Sequence, residues 1–390
     1  MITVAQALEH LFTLTKPMDV QEIPLRAAAG RILARDVSAQ RTQPPFAASS
    51  MDGYAMRRAE VEPDAMFKVV GESAAGHRYT GTLNAGQAVR IFTGAPVPEG
   101  ADFVVIQEDV TRRGDLITLG HKIGEKDNIR PAGGDFTQGQ TVSSPLRLRP
   151  ADIALLAAMN IATVPVYRKP VVAIMATGDE LVQPGEVPGP DQIIASNTYG
   201  LAAQLDALGA DTRLMPIARD NAPSLQRAFE LAHGSDLIIT IGGASVGDHD
   251  LVAPVAAQMG MEQAFYKVAM RPGKPLMAGH LGTSAMVGLP GNPVSALVCG
   301  TIFVAPMISA MLGLGQHAAP RRQAPLAVDI PANGPREHYM RAVVSEGAVT
   351  PSDRQDSSLL TVLATANALL VRPPSAPAGT SGTLVEIIDL

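Results

Sequence analysis

The chain has 390 residues, of which 46% are hydrophobic and 17% are charged, and its formal net charge is −6. This length exceeds the usual limit of ~250–300 residues for one hydrophobic core, so we expect a folded protein of several domains. The negative charge and the low aromatic content, with no tryptophan, argue against nucleic-acid binding, which needs cations and stacking rings.

The cysteine content and the apolar segments favour a cytoplasmic protein. Cys299 is the single cysteine, which excludes an internal disulfide and fits a reducing compartment. Residues 1–12 lack the basic start and the small-residue cleavage site of a signal peptide. Residues 294–314 are apolar enough to span a membrane, but Pro306 interrupts them, so we interpret them as a buried helix. We therefore expect neither a membrane nor a nucleic acid as a partner.

The N-terminal segment is predicted to be helical and then extended. Thr3 and Gln6 form a capping box ahead of apolar residues at helical spacing, which predicts an amphipathic helix. A second, short helix is predicted over residues 25–33. The following pair Pro44 and Pro45 favours an extended connector.

A β-rich module is predicted to be inserted into a helical base. Residues 46–145 contain short β-type runs between glycine, proline and asparagine turns. A helix is predicted over residues 150–159, ended by Asn160 as a left-handed cap. Residues 1–45 and 146–170 would form the helical and extended base domain around the insertion.

Residues 171–319 alternate between strand and helix patterns, which predicts a doubly wound, mostly parallel α/β sheet. The predicted strands are 171–176, 212–217, 237–241, 263–270 and 285–289, and the helices are 198–208, 224–232, 251–259 and one that begins at Pro293. Short β runs return in residues 320–390, which predicts a separate C-terminal β domain of barrel type. The fold class is therefore a multi-domain α/β plus β protein.

Four loops follow the predicted sheet at the carboxyl edge, where ligands bind in open α/β sheets. Their sequences are TGDE (177–180), GGASVGDHD (242–250), RPGKP (271–275) and GLPGNPVS (288–295). Gly242 and Gly243 let backbone N–H groups approach a ligand, and a helix that starts at Pro293 offers an anion site. Arg271 and Lys274 add two cations held by prolines, as a phosphate or another oxyanion requires.

Carboxylates also follow the strands of this predicted sheet. They are Asp179, Glu180, Asp220, Asp248 and Asp250. Anion sites beside carboxylates suggest phosphate held through a divalent cation, most often Mg²⁺. For Glu180 and Asp248, a helix cap or a solvated loop explains the side chain equally well.

Several common enzyme motifs do not occur in this sequence. A P-loop, a dinucleotide-binding glycine fingerprint, a nucleophile elbow and a zinc-spaced Cys/His set are all missing. His249, His280 and His338 are isolated, so we interpret each as a surface or packing residue. In the β module, tight turns explain the glycines and prolines as well as function does, and the candidates there are Asp52, Thr93, Arg130 and Asp135.

Seven motifs, in order, resemble the molybdopterin molybdenumtransferase (MoeA) family. They are SSMDGYA (49–55), FTGAPVPEG (92–100), NIR (128–130), TGDEL (177–181), GGASVGDHD (242–250), RPGKP (271–275) and GLPGNPVSA (288–296). The resemblance implies an elongated homodimer of four-domain subunits, with other cofactor-biosynthesis proteins as further partners. It also implies a reaction in which adenylylated molybdopterin and molybdate give molybdenum cofactor and AMP, with Mg²⁺ assistance.

The resemblance also implies roles for individual residues. The pterin and the adenylyl phosphate would be held by Thr177, Gly178, Asp179, Glu180, Gly242, Gly243, Ser245, Gly247, Pro290, Gly291, Asn292 and Pro293. Asp220 and Asp250 would bind the metal or assist hydrolysis. Molybdate would be surrounded by Arg271, Lys274, Ser295, Arg341 and Ser357, and the catalytic set would be Asp220, Asp250, Lys274 and Arg271. The partner subunit's β module would supply Asp52, Thr93, Arg130 and Asp135.

The sequence departs from the family pattern at three positions, and two rival functions stay open. Ala195 stands where the family often has an acidic residue, Arg271 replaces a lysine, and Asp356 precedes Ser357 where the family pattern has a glycine. A molybdopterin adenylyltransferase shares the TGDEL and glycine loops, and it would consume ATP and release pyrophosphate. A non-catalytic pterin-binding scaffold is the second rival, against which the retained Asp220, Asp250 and Lys274 argue.

Overall fold

A computed structural model describes residues 1–243 and 251–390. The chain divides into two compact units. The first unit comprises Met1–Gln21, Gly30–Ala34 and Val166–Leu390, and the second comprises Glu22–Ala29 and Arg35–Pro165. The bounds of the four domains expected from the sequence remain a prediction, because this division separates the chain into two units and not into four.

The N-terminal segment contains one helix and three short strands. They are α1 (Val4–Thr13), β1 (Val20–Pro24), β2 (Ile32–Leu33) and β3 (Val37–Ser38). The predicted capping box is present, because the Gln6 N–H donates to Thr3 Oγ1 at 3.2 Å and the Thr3 N–H donates to Gln6 Oε1 at 3.0 Å. The helix predicted over residues 25–33 is wrong: only the single turn Leu25–Ala27 is helical. Gly30, at φ 75°, ends the segment too soon for a helix to propagate.

Residues 46–145 are β-rich, as the turn spacing predicts. The strands are β4 (Ala48–Ser49), β5 (Gly53–Met56), β6 (Met66–Ser73), β7 (Gln87–Ile91), β8 (Phe103–Ile106), β9 (Val110–Arg113), β10 (Leu116–Leu119), β11 (Ile129–Arg130) and β12 (Thr141–Val142). Six of them form one sheet in the order β8-β5-β7-β6-β10-β9, while β4 pairs with β11 and β3 pairs with β12. Phe67, Phe103 and Ile117 are buried in the core of this sheet.

The chain then forms β13 (Leu146–Arg147), α2 (Pro150–Ala158) and β14 (Thr163–Tyr167). Proline occupies the first position of α2, where the N–H that proline lacks has no helical partner. Asn160 follows the helix in the left-handed region at φ 67°. The predicted left-handed residue after this helix is therefore confirmed.

The next segment alternates between strands and helices. Its elements are β15 (Val171–Ala176), β16 (Leu181–Val182), β17 (Ile193–Ile194), α3 (Asn197–Leu208), β18 (Asp211–Leu214), α4 (Ala222–Leu231), β19 (Leu237–Ile241), α5 (Val252–Gln258), β20 (Met261–Tyr266), β21 (Met270–Arg271), β22 (Met277–Leu281), β23 (Ser284–Leu289), α6 (Pro293–Cys299) and α7 (Ala305–Met311). The central sheet has the order β18-β15-β19-β23-β22-β20. Strands β18, β15, β19 and β23 pair in parallel, whereas β22 is antiparallel to both of its neighbours.

Both faces of this sheet are covered by helices. Val172 and Ile174 of β15 join a core that includes α3, α6 and α7. Ala173 and Met175, on the opposite face, join a core that includes α4 and α5. A central strand buried on both faces explains why its sequence is continuously apolar rather than alternating.

The strand predicted over residues 263–270 is wrong in its extent. The structure has two strands, β20 and β21, separated around Lys267 at φ 68°. It also contains β22, which the sequence analysis missed. A hairpin turn with Gly282 at φ 61° connects β22 to β23. This turn places the start of β22 at the same edge as the carboxyl ends of the parallel strands.

The apolar stretch near residue 300 is a helix of the core. Helices α6 and α7 are joined by a π-helical turn, Gly300–Val304, next to Pro306, which lacks the N–H that a regular helix would use. Within the described ranges, Pro293–Met311 has the length and composition of a membrane span, and 78% of its most apolar window is buried inside the protein.

The C-terminal elements form a mostly antiparallel sheet. They are β24 (Arg322–Pro325), β25 (Glu337–Ser345), β26 (Ala348–Pro351), α8 (Leu360–Thr365), β27 (Ala368–Arg372) and β28 (Leu384–Asp389). The order is β21-β25-β27-β28-β24, β26 pairs with β25, and an isolated bridge joins Leu326 to Val349. Because β21 pairs with β25, residues 271–275 are tied directly to this sheet.

Candidate functional site

The carboxyl edge of the central sheet opens into a cavity of about 410 Å³. The four parallel strands end here, and the loops after them supply most of its wall. Nine predicted site residues line it: Thr177, Gly178, Glu180, Asp220, Gly242, Gly243, Pro290, Gly291 and Pro293. Pro275 of the RPGKP loop also lines it, so four loops that are distant in sequence share one cavity.

Two glycines after β19 form one side of this cavity. Gly242 has φ 96° and Gly243 has φ 62°, a region that favours glycine. A Cβ atom on Gly243 would lie 2.2 Å from Cγ2 of Val252, so the position also excludes a side chain. The Thr177 hydroxyl lies beside both glycines; it is buried and has no hydrogen-bond partner among the described residues. The wall therefore contains one buried hydroxyl group next to the glycine backbone.

The turn after β15 is held by an arginine that the sequence analysis missed. Arg219 Nη1 donates to three carbonyl oxygens, those of Gly178, Asp179 and Leu181, at 3.3, 3.0 and 3.1 Å. The backbone N–H of Asp220 donates to Asp179 Oδ1 at 3.2 Å. The sequence does contain a signal that could have identified Arg219: it directly precedes Asp220, the candidate carboxylate that follows the neighbouring parallel strand β18.

The glycine-proline loop after β23 contacts two other segments. Asn197 Nδ2 donates to the carbonyl oxygen of Gly291 at 2.7 Å, and Asn197 itself lines the cavity. Asn292 Nδ2 donates to Ser357 Oγ at 3.0 Å, and the Val294 N–H donates to the Ser357 carbonyl oxygen at 3.1 Å. Ser357, from the C-terminal sheet domain, is thus brought to the rim of the cavity.

Arg341 is a fully buried cation near this rim, with 0% of its surface exposed. Its Nη2 donates to the Asp356 carbonyl oxygen at 3.0 Å, while Nε and Nη1 have no hydrogen-bond partner in the described part of the chain. Burial, and then the charge of Arg271, lower the pKa of Arg341. Two unpartnered donor atoms on a buried guanidinium destabilise the folded protein. Such an arrangement is expected at a site where a bound anion accepts from these donors.

His338 lies in the same positive region and is buried rather than exposed on the surface. Burial, followed by the charges of Arg271, Arg341, Arg336 and Arg372, lowers the pKa of His338 to about 4. The imidazole is therefore neutral near pH 7. None of the ion pairs formed by the described residues includes these four arginines, so four cationic groups without a paired carboxylate surround His338.

In the RPGKP loop, Lys274 is exposed on the surface, and the loop packs against the buried thiol of Cys299. The carbonyl oxygen of Lys274 accepts from the Val268 and Leu276 N–H groups at 3.0 and 3.1 Å. A Cβ atom on Gly273 would lie 2.5 Å from Cys299 Sγ, so the loop packs closely on α6. Burial raises the pKa of the Cys299 thiol. Ser295 is buried in α6 at 3% exposure and does not line the cavity.

The four residues predicted in the β module all belong to the second unit. Asp52 Oδ1 accepts from the Thr93 N–H and from the Thr93 hydroxyl, both at 2.8 Å. These two hydrogen bonds, the backbone one first, lower the pKa of Asp52. Arg130 is the last residue of β11, opposite Ala48, and Asp135 follows in the next turn.

Ser245, Gly247 and Asp250 lie outside the described residues, as do Asp248 and His249. Of the two residues predicted to bind the metal ion, Asp220 therefore lies within the described residues and Asp250 does not. Residues 1–243 and 251–390 contain no group of three His, Cys, Asp or Glu side chains that could hold a metal ion by themselves.

Comparison with family models identifies the class of protein that this fold and cavity define. Residues 173–310 match a model described as a probable molybdopterin binding domain, so the cavity lies in a domain of the molybdopterin-binding class. Residues 2–160 match the MoeA N-terminal region, domains I and II, and residues 323–390 match the MoeA C-terminal region, domain IV.

Full-length relatives then identify the family. The chain is 37% identical to the molybdopterin molybdenumtransferase of Haemophilus influenzae over 324 residues, covering 82% of this chain and 80% of that protein. It is 33% identical to that of Bacillus subtilis over 403 residues, covering 99% and 94%. A crystal structure of a molybdopterin biosynthesis MoeA protein from Pyrococcus horikoshii has a TM-score of 0.85 at 29% identity, covering 100% and 99%. This chain belongs to the molybdopterin molybdenumtransferase family, a family of transferases in molybdenum cofactor biosynthesis.

Proposed function

We propose that this chain inserts molybdate into adenylylated molybdopterin and releases AMP. The observation that carries the proposal is the link between the glycine-lined cavity and a buried cation. The Asn292–Ser357 hydrogen bond of 3.0 Å joins the cavity loop to the segment whose Asp356 carbonyl oxygen holds Arg341. A substrate in the cavity would thus have an oxyanion site beside it.

The cavity suits the phosphate-bearing part of the substrate. Glycines at its wall let a ligand approach the backbone closely, and the buried Thr177 hydroxyl beside them forms no hydrogen bond with any described residue. The assigned roles of Thr177, Gly178, Asp179, Glu180, Gly242, Gly243, Ser245, Gly247, Pro290, Gly291, Asn292 and Pro293 are part of this proposal. A volume of about 410 Å³ is within the usual range for small-molecule sites.

The positive region suits molybdate, which is a dianionic oxyanion. Within residues 1–243 and 251–390, Nε and Nη1 of Arg341 have no hydrogen-bond partner. They face different edges of one planar charged group, so each can donate separately to an oxyanion oxygen. Arg271, Lys274, Ser295 and Ser357 would complete the site. Cations placed here would offset the repulsion between molybdate, the pterin sulfurs and the phosphate, because that repulsion is strong at short range.

We also propose that Mg²⁺ assists the reaction through Asp220 and Asp250. Protein-bound Mg²⁺ commonly uses one or two carboxylates together with substrate phosphates. Glu180 and Asp220 both line the cavity, so the described wall fits such a site without a complete protein cage. When bound, the ion would polarise the phosphoanhydride of the substrate.

Four further expectations belong to this proposal. The α/β domain would be doubly wound, supported by helices on both faces, and the C-terminal sheet would close into a barrel, supported by the Leu326–Val349 bridge. The protein would be a cytoplasmic homodimer, and other cofactor-biosynthesis proteins would be partners. The partner subunit's β module would bring Asp52, Thr93, Arg130 and Asp135 to the cavity.

The proposal is tested by mixing purified protein with adenylylated molybdopterin, Mg²⁺ and molybdate, and measuring AMP by chromatography. We expect AMP release that depends on molybdate. R341M should lose most of this release, whereas R322M should keep it, because Arg322 pairs with Asp389 on the outside of the C-terminal sheet. Consumption of ATP with release of pyrophosphate, and no molybdate-dependent AMP, would instead show an adenylyltransferase.

A further inference from the structure

The side chain of Arg219 connects two segments that each carry a carboxylate of the cavity wall. We infer that Arg219 is a positioning residue, which fixes the spacing between Glu180 and Asp220 and thereby the affinity of this wall for a divalent cation. The inference rests on the proposed function for its catalytic consequence, but its effect on cation binding can be measured separately.

The first step of the argument is the geometry of the guanidinium. Its Nη1 atom lies 3.0–3.3 Å from the carbonyl oxygens of Gly178, Asp179 and Leu181, so three peptide groups of one turn converge on one nitrogen. Hydrogen bonds from a charged donor are stronger than neutral ones. Arg219 therefore holds the shape of the turn that contains Glu180.

The second step is the anchoring of Arg219 itself. Its backbone N–H donates to Ser224 Oγ at 2.9 Å, in the first turn of α4. The N–H of Gly178 donates to the Ala218 carbonyl oxygen at 3.0 Å, and the Ala218 N–H donates to the Ala176 carbonyl oxygen at 2.9 Å. The arginine thus connects the turn to a segment that is already fixed on the sheet and on a helix.

The third step is the position of the two carboxylates. Glu180 belongs to the turn, Asp220 follows Arg219, and both line the cavity. A Cβ atom on Gly178 would lie 2.4 Å from Glu180 Oε2, so the Glu180 carboxylate folds closely over the turn. If the turn relaxes, Glu180 moves relative to Asp220, and oxygen ligands from the two segments no longer fit one ion.

Three variants and one control test the inference in the full-length protein. R219M removes the donors, R219K keeps the charge on a shorter side chain, and R219Q keeps a shorter neutral donor. R227A is the matched control, because Arg227 lies in α4 and, among the described residues, forms its ion pair with the exposed Glu230 of the same helix. Affinity for Mn²⁺ alone is measured by calorimetry, and the kcat of AMP release and the KM for molybdate are measured separately.

We expect R219M and R219Q to lose about 10- to 100-fold in Mn²⁺ affinity and in kcat, as supporting residues of metal sites typically do. The KM for molybdate should change little, because the oxyanion site lies around Arg341. R219K should recover part of the loss, since one ammonium can donate to three converging carbonyls. R227A should behave as wild type.

Wild-type Mn²⁺ affinity and kcat in R219M would overturn the inference. If R219M does not fold, R219Q decides: wild-type Mn²⁺ affinity and kcat in R219Q would overturn the inference as well. The two proposals fail differently. Wild-type protein that releases no AMP, together with weaker Mn²⁺ binding in R219M, would contradict the proposed reaction and support the positioning role.

Discussion

Replacing the buried Arg341 by methionine should stabilise the protein while removing its response to molybdate. The guanidinium is fully buried, and none of the residues in 1–243 and 251–390 forms a hydrogen bond with Nε or Nη1. Its Nη2 makes a 3.0 Å hydrogen bond to the Asp356 carbonyl oxygen, which the variant loses. Methionine has a similar length and fills most of the same space without any polar atom that needs a partner.

The magnitude follows from these contacts. Each unpartnered buried donor costs about 1–3 kcal/mol of folding free energy, and the charged hydrogen bond to Asp356 contributes about 1.5–3 kcal/mol. R341M removes two unpartnered donors and loses one hydrogen bond, so the free energy of unfolding should rise by a net amount of about 2 kcal/mol. For a unit of this size, that gain raises the unfolding midpoint by about 4–8 °C.

The assay is thermal unfolding of wild type and R341M with and without molybdate. Ligand at a hundred times its Kd stabilises a folded protein by about 2.7 kcal/mol, so the wild-type midpoint should rise with molybdate. The midpoint of R341M should be higher without ligand and should not respond to it. R322M serves as the control, because Arg322 is a half-exposed ion-pair residue of the same sheet and should respond to molybdate as wild type does.

An R341M protein that is less stable than wild type would show that the unpartnered donors cost little. A wild-type shift with molybdate in R341M would show that the oxyanion binds elsewhere. Either result refutes the reasoning that stability is sacrificed at this position for anion binding.

Three further predictions concern the cavity loops and one ion pair. G243A should lose about 2–3 kcal/mol of stability in a urea titration, because its φ of 62° is unfavourable and its new methyl group would lie 2.2 Å from a valine methyl. N292A and S357A should each weaken molybdate-dependent AMP release, and a double-mutant cycle should give a coupling of about 0.5–1.5 kcal/mol; strict additivity would contradict the 3.0 Å bond. Burial acts to raise the pKa of Asp236, but the hydrogen bonds from Arg168 and from the Val171 N–H, with the charges of Arg168 and Lys16, outweigh it and hold this pKa below its usual value. The ionised Asp236 therefore stabilises the protein fully above pH ~4 and progressively less as the pH falls below it, so the destabilisation of D236N relative to wild type should shrink from pH 7 towards acid in urea unfolding.

Features that depend on nearby residues were predictable from the sequence. The Thr3–Gln6 capping box and the left-handed Asn160 after α2 involve residues at most a few positions apart. The loops at the carboxyl edge were predictable for a similar reason. Once parallel strands are inferred, their carboxyl ends must meet, so Thr177 and Gly243 share a cavity.

The wrong predictions come from short segments where propensity is weak. Three alanines favour a helix at residues 27–29, but Pro24 and Gly30 leave too few residues between them to form one. The hairpin of β22 and β23 was missed, although Gly282 marks its turn. Apolar residues on both sides of that glycine hid the alternation that usually identifies a strand.

Hydrogen bonds between side chains and residues that are distant in the chain could not be predicted from the sequence. Arg219 reaches Asp179 across 40 positions, and Asn292 reaches Ser357 across 65. No local pattern records which partner such a side chain finds, because the fold brings the two together only after both segments are placed. The same holds for Arg341, whose unpartnered donors are visible only from the packing around it.

The close packing of Gly273 on Cys299 has a practical consequence. Since the protein has one cysteine and its thiol is covered by the RPGKP loop, a thiol reagent can reach it only when local structure opens. The rate at which Cys299 is labelled would therefore measure how often this loop opens, and no cysteine has to be introduced for the experiment. Slower labelling in the presence of molybdate would show that the ligand holds the loop closed over α6.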